Sequence, residues 1–175
     1  MIRTVFDKTR AFRAENSGAA MVEFAIALPL LLLVLAIVVE GSRITWIHQV
    51  AASGVRDASR YLARTEQSSV CNSTAGVQAF NNNTAIAARA QEIVTSSVDL
   101  TNTILPTGVR NVVVNHTLQC TSVDFTGTGT TLVPVIQVAV TLTIDFPIGG
   151  VFDLFGDPLA PLTTVVADES RVYGI

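Results

Sequence analysis

The sequence predicts an α+β protein: a long N-terminal helix that crosses a membrane and continues past it, a second, shorter helix, and a small antiparallel sheet. Three observations predict this. Residues Ala19 to Val39 are apolar except for one glutamate, Glu23. Apolar residues then recur every three or four positions, at Ile44, Ile47, Ala51, Val55, Ala58 and Leu62, the spacing of one helix face. After Gly108 the period drops to two. Val112, Val114, His116, Leu118 and Cys120 share one side, and Ile136, Val138, Val140, Leu142, Ile144 and Phe146 repeat the pattern. Half-buried antiparallel strands alternate in this way.

The first element is long enough to span a bilayer. At about 1.5 Å per residue, the run from Ala19 to Val39 reaches roughly 30 Å, the thickness of the hydrocarbon layer. Arg3, Lys8, Arg10 and Arg13 precede it and only Arg43 follows closely. That asymmetry predicts a cytoplasmic N-terminus, with everything after Glu40 exported. A cleaved secretory signal is the bland alternative. The run exceeds the ~7–15-residue core of such signals, and no A-x-A site closes it. The expected divisions are 1–18, a short basic leader; 19–40, the transmembrane helix; 41–66, its extension beyond the membrane; and 67–175, an exported α+β domain.

The helix is expected to run to about Arg64. Pro29 removes one of its backbone hydrogen bonds and is a candidate kink; Gly54 is a milder weak point. Arg43, Gln49, Arg56, Asp57, Arg60 and Arg64 are expected largely off the apolar stripe. Glu66 to Gly76 reads as a polar loop. Val77 to Phe80 starts a helix that Asn81 to Asn83 interrupts. Thr84 is the expected cap of the next helix, with Ile86, Ala90, Ile93 and Val94 on one face. Residues 101–108 and 126–131 read as turns, and Pro147 to Pro161 as an irregular apolar loop. Leu162 to Tyr173 reads as a last strand, marked as an edge by Asp168, Glu169 and Arg171.

Composition excludes several functions. The chain has 175 residues, 49% of them hydrophobic and 14% charged, against ~25% charged in a soluble domain. The excess is confined to the membrane run. The formal net charge is -3, and no basic domain offers itself to nucleic acid. No Gly-rich phosphate loop, HExxH or GxSxG occurs, so no enzyme and no cofactor are expected. His48 reads as a helix-surface residue and His116 as a satisfied core histidine. Two cysteines and two distant histidines make a poor metal site. Asp145, Asp153, Asp157, Asp168 and Glu169 are oxygen ligands of the kind calcium takes, but solvation is the simpler account and no metal is expected. Cys71 and Cys120 both lie in the exported part, where an even pair suggests a disulfide; two separately buried thiols is the other reading.

Glu23 poses the functional question. A carboxylate at the centre of a membrane helix costs ~2.5–3.5 kcal/mol on insertion scales. An idle acid near the headgroups is the bland reading. Were the chain cut after Gly18, Ala19 would become a free ammonium and Glu23 the fifth residue of the product. The two charges could then satisfy one another, within the chain or between neighbouring helices.

A short basic leader, a glycine, a glutamate at the fifth position after it and an apolar helix resemble the signature of type IV prepilins and pseudopilins. In finer detail the stretch is similar to the TadE-like family of bacterial tight-adherence (Flp) pilus systems. The residues that carry the likeness are Glu23-Phe24-Ala25, Pro29, Leu30 to Leu35, Glu40-Gly41, Arg43, Ala51-Ala52, Gly54 and Arg56-Asp57-Ala58. The likeness covers about residues 16 to 64. It implies a type IV pilin-like fold and cleavage between Gly18 and Ala19 by a prepilin peptidase. It also implies a minor pilin or pseudopilin role in assembly of an adhesive pilus, with Glu23 pairing helices. The implied partners are other pilins, including the major Flp pilin, and the inner-membrane assembly platform. The implied location is the bacterial inner membrane, with a periplasmic C-terminal domain that could also enter the extracellular fibre. The rival reading is an uncleaved single-pass inner-membrane protein with a periplasmic scaffold or adhesin domain. A membrane-tethered hydrolase is a third.

Overall fold

The computed structural model describes residues 17–98, 108–125, 129–147, 149–150, 156 and 159–173. The first 16 residues, most of the expected turn at 101–108, the centre of the 126–131 turn and much of the 147–161 loop lie outside them. The chain divides into two units, Met1–Gly41 and Ser42–Ile175. Helix α1, Ser17–Thr65, begins in the first and ends in the second.

In the first unit α1 is long and apolar enough to cross a membrane. Its large side chains face outward: Met21 is 78% exposed and Phe24 65%. So much exposed apolar surface fits lipid or other helices better than water. The helix continues through Pro29 without a break. Pro29, the candidate kink, thus lies inside one continuous helix, as expected, and proline is well tolerated within membrane helices.

The second unit is a helix layer on a sheet. The predicted stripe of α1 is buried at Ile47, Ala51, Val55, Ala58 and Leu62. It shares one core with Ile136, Val138, Val140, Leu142 and Ile144 of the central strand, each 0% exposed. Each face buries what the other would leave in water. Arg43 departs from expectation. It sits four residues before Ile47 on the same face and is only 5% exposed, because the i, i+4 step that builds the stripe includes it. Gly54 is also more than a weak point. A Cβ there would lie 2.9 Å from the Ser97 Cβ, so the glycine lets the third helix approach α1.

Beyond α1, the expected loop at 66–76 is partly helical. A 3-10 turn spans Ser68–Asn72, and α2 follows at Thr74–Asn81. The Ser73 hydroxyl accepts the Gly76 amide at 3.1 Å, which starts α2 earlier than its apolar residues suggest. Helix α3 spans Thr84–Val98. Its cap is Asn83 rather than Thr84: the Asn83 Oδ1 accepts the amides of Ala85 at 2.9 Å and Ile86 at 3.3 Å. Ala90, Val94 and Val98 are buried, with Ile86 and Ile93 packed beside them. On the outer side of α3, Arg89 pairs with Glu92 at 2.6 Å and lies over the Tyr61 ring. The Glu92 carboxylate, followed by Tyr61, raises the Arg89 pKa above its ordinary value.

Strands β1 (Val109–Phe125), β2 (Gly129–Ile144) and β3 (Leu162–Arg171) form an antiparallel sheet in the order β1-β2-β3. Register sets Val114 opposite Val140 and Val140 opposite Val166. The β1 ladder shifts between Arg110 and Val113, around Asn111 with its φ of 53°, a bulge that lets β1 keep its apolar side inward. The outward edge of β1 is closed by side chains. Gln91 donates to the Val112 carbonyl and accepts the Val114 amide, both at 3.0 Å. Asn81 accepts the Leu118 amide at 2.7 Å and donates to its carbonyl at 3.4 Å. Two amide side chains thus stand where a neighbouring strand would. Between them the His116 Nε2 lies 3.2 Å from the Phe80 carbonyl and its ring packs edge-on against Phe80, so this histidine has its polar partner but is half-buried at the side of the core rather than within it. A disulfide joins Cys71 to Cys120, with Cα atoms 5.8 Å apart. It ties the 3-10 turn to β1.

Candidate functional site

The helical pattern places Gly18, Ala19 and Glu23 within the first two turns of α1. Ala19 and Glu23 are one helical turn apart, on the same face, with side chains that would be about 5–6 Å apart at Cβ. Glu23 is exposed. Among the described residues its carboxylate has no hydrogen bond or ion pair.

Gly18 is likewise free of packing. A Cβ built on it would meet nothing within 4 Å. Glycine inside a helix costs about 1 kcal/mol relative to alanine, and here no close approach, turn or left-handed backbone requires it. Gly54 provides the contrast, since its hydrogen faces Ser97.

One further residue of α1, Arg43, acts within the second unit. Arg43 donates to the main-chain carbonyl of Asp145. The Asp145 carboxylate in turn takes both Arg110 nitrogens, Nε at 2.5 Å and Nη2 at 2.6 Å. Sequence reasoning missed this cluster. The only signal for it was that Arg43 keeps step with Ile47 and Ala51. Of the acids considered as calcium ligands, Asp145 is held by Arg110, Asp168 accepts the Ser59 hydroxyl at 2.9 Å, and Glu169 accepts from Gln137 at 3.0 Å. Asp153 and Asp157 lie outside the described residues. His48 is exposed on α1 and the half-buried His116 packs on Phe80, so the structure does not bring the two histidines together.

Residues 18–60 match the TadE-like protein family. The TadE-like segment therefore begins at Gly18, includes Glu23 and Arg43, and ends at Arg60, within α1. No curated protein and no solved structure gives a match.

Proposed function

We propose that this protein is a minor pilin or pseudopilin of a Tad (Flp-type) pilus, cut by a prepilin peptidase between Gly18 and Ala19. The observation that carries the reading is the conjunction at the start of the TadE-like segment. A glycine with no packing role stands five residues before a carboxylate with no partner among the described residues. Both features are unexplained among the described residues and cleavage would account for both. The glycine fits a peptidase subsite too narrow for a side chain. The cut creates an ammonium at Ala19, one turn from Glu23. In low dielectric the two charges attract strongly, whereas either alone is penalised.

The same pairing can form between neighbouring copies. The ammonium of one helix would then meet the Glu23 carboxylate of the next, which makes the membrane anchor an assembly surface. The exposed apolar face of α1 supports this, because it can exchange lipid for other helices at small cost. The protein accordingly sits in the bacterial inner membrane with its N-terminus in the cytoplasm. Its partners are the prepilin peptidase, other pilins including the major Flp pilin, and the assembly platform.

The test is Glu23→Ala in a strain that depends on this protein for pili. The variant should accumulate in the membrane at the normal level, yet pili should be few or absent. Normal pilus numbers with Glu23→Ala would remove the pairing from the account.

A further inference from the structure

We propose that a pocket lined by arginines, where the end of α1 meets the end of β3, is a docking site for a carboxylate-rich segment of a partner protein. The pocket encloses about 410 Å³. Arg56, Arg60 and Arg64 reach it from α1, and Arg171 from β3. The three helix arginines are spaced by four residues and so share one face. Four of the seven basic residues after Glu40 meet here, in a chain whose acids outnumber its bases.

The arrangement leaves positive charge unspent. Asp168 and Glu169 also line the pocket, but their carboxylates take neutral donors, the Ser59 hydroxyl at 2.9 Å and the Gln137 amide at 3.0 Å. Among the described residues none of the four guanidinium groups has a hydrogen bond or an ion pair. Like charges at i, i+4 destabilise a helix, and the two acids that line the pocket offset only part of the four positive charges. A bound anion would offset the rest. All four residues are arginine rather than lysine, and the guanidinium fork matches a carboxylate with two parallel hydrogen bonds.

The shape and lining favour a protein segment over a lipid surface. A flat layer of headgroups cannot enter a pocket, whereas a protruding chain can. The two acids leave acceptors that the main-chain amides of a peptide can use and a headgroup phosphate, itself an acceptor, cannot. The proposal does not depend on cleavage at Gly18.

The test uses the full chain in neutral detergent micelles. The probe is a fluorescent glutamate-rich peptide, with its glutamine counterpart, inorganic phosphate and phosphatidylglycerol vesicles as the other arms. The glutamate peptide should bind at low salt and weaken as salt rises. Arg60→Gln with Arg171→Gln should weaken it about tenfold, with both lysine replacements intermediate. Thermal unfolding should be unchanged, and Arg89→Gln, outside the pocket, should bind normally. If the double variant unfolds, Arg56→Gln and Arg64→Gln, each alone, serve the same purpose. The proposal is overturned if the glutamate peptide does not bind or binds all variants alike. It is also overturned if phosphate or the vesicles bind through these arginines as tightly as the peptide.

Discussion

Arg43 of α1 donates a hydrogen bond to the main-chain carbonyl of Asp145, just beyond the end of β2. The Asp145 amide bonds the Gly108 carbonyl at 2.6 Å and its carboxylate holds Arg110. One residue thus links the long helix, the start of β1 and the end of β2. A hydrogen bond from a charged donor contributes about 1.5–3 kcal/mol, more than the partly exposed Arg110 pair beside it, which falls in the ~0–1 kcal/mol range of surface ion pairs.

Replacing that donor should loosen the second unit. Arg43→Met keeps the apolar stem but leaves the Asp145 carbonyl without this bond, and should lower stability by about 1–3 kcal/mol. Arg110→Gln should change it by less than ~1 kcal/mol. Urea unfolding of both variants in detergent, followed by circular dichroism, compares the two. Equal losses would mean that Arg43 holds nothing.

Gly54 should be intolerant of bulk. With a Cβ only 2.9 Å from that of Ser97, Gly54→Val forces α3 away from α1 and should cost about 1–3 kcal/mol. Ser97→Gly should recover part of that loss in the double variant. A double-mutant cycle measures the coupling, and strict additivity would contradict the contact.

The main architecture was legible because it rests on period. The stripe from Ile47 to Leu62 and the alternation from Ile136 to Ile144 each follow from one-sided burial. What escaped depends on partners distant in sequence. Arg43 looked like a surface charge because its acceptor is a backbone carbonyl 102 residues away. Gly54 looked like a flaw until Ser97 stood opposite it. Asn81 read as part of a helix interruption and Gln91 carried no reading, yet both reach across to β1. Local rules also competed at the start of α3, where Asn83 and Thr84 are both capping types and the side chain one residue earlier won. The glycine and glutamate at the start of α1 were legible for the opposite reason, since nothing else described in the chain explains them.

The amide clamps on β1 should protect it. Gln91→Leu should leave the Val112 carbonyl and Val114 amide unsatisfied and cost about 1–3 kcal/mol. Hydrogen exchange at Val114 should then quicken, while Leu118, held by Asn81, stays slow. Asn81→Leu should reverse the pattern. Unaltered exchange in both variants would mean the clamps are incidental.

The disulfide should contribute through the unfolded state. Its cysteines are 49 residues apart in sequence, and removing such a closure costs up to ~4 kcal/mol in the chain-entropy model. Cys71→Ala with Cys120→Ala should unfold at a lower temperature than the oxidised protein and close to the reduced one. A melting temperature equal to that of the oxidised protein would show that the link carries no stability.

The central claim is that Glu23 awaits an ammonium created by cleavage. The most direct measurement is the intact mass and N-terminal sequence of the protein taken from the membranes of its own pilus-forming cells. The chain should begin at Ala19, and should remain uncut when Gly18→Val replaces the glycine. A wild-type protein that retains Met1 to Gly18 in cells making pili would contradict it.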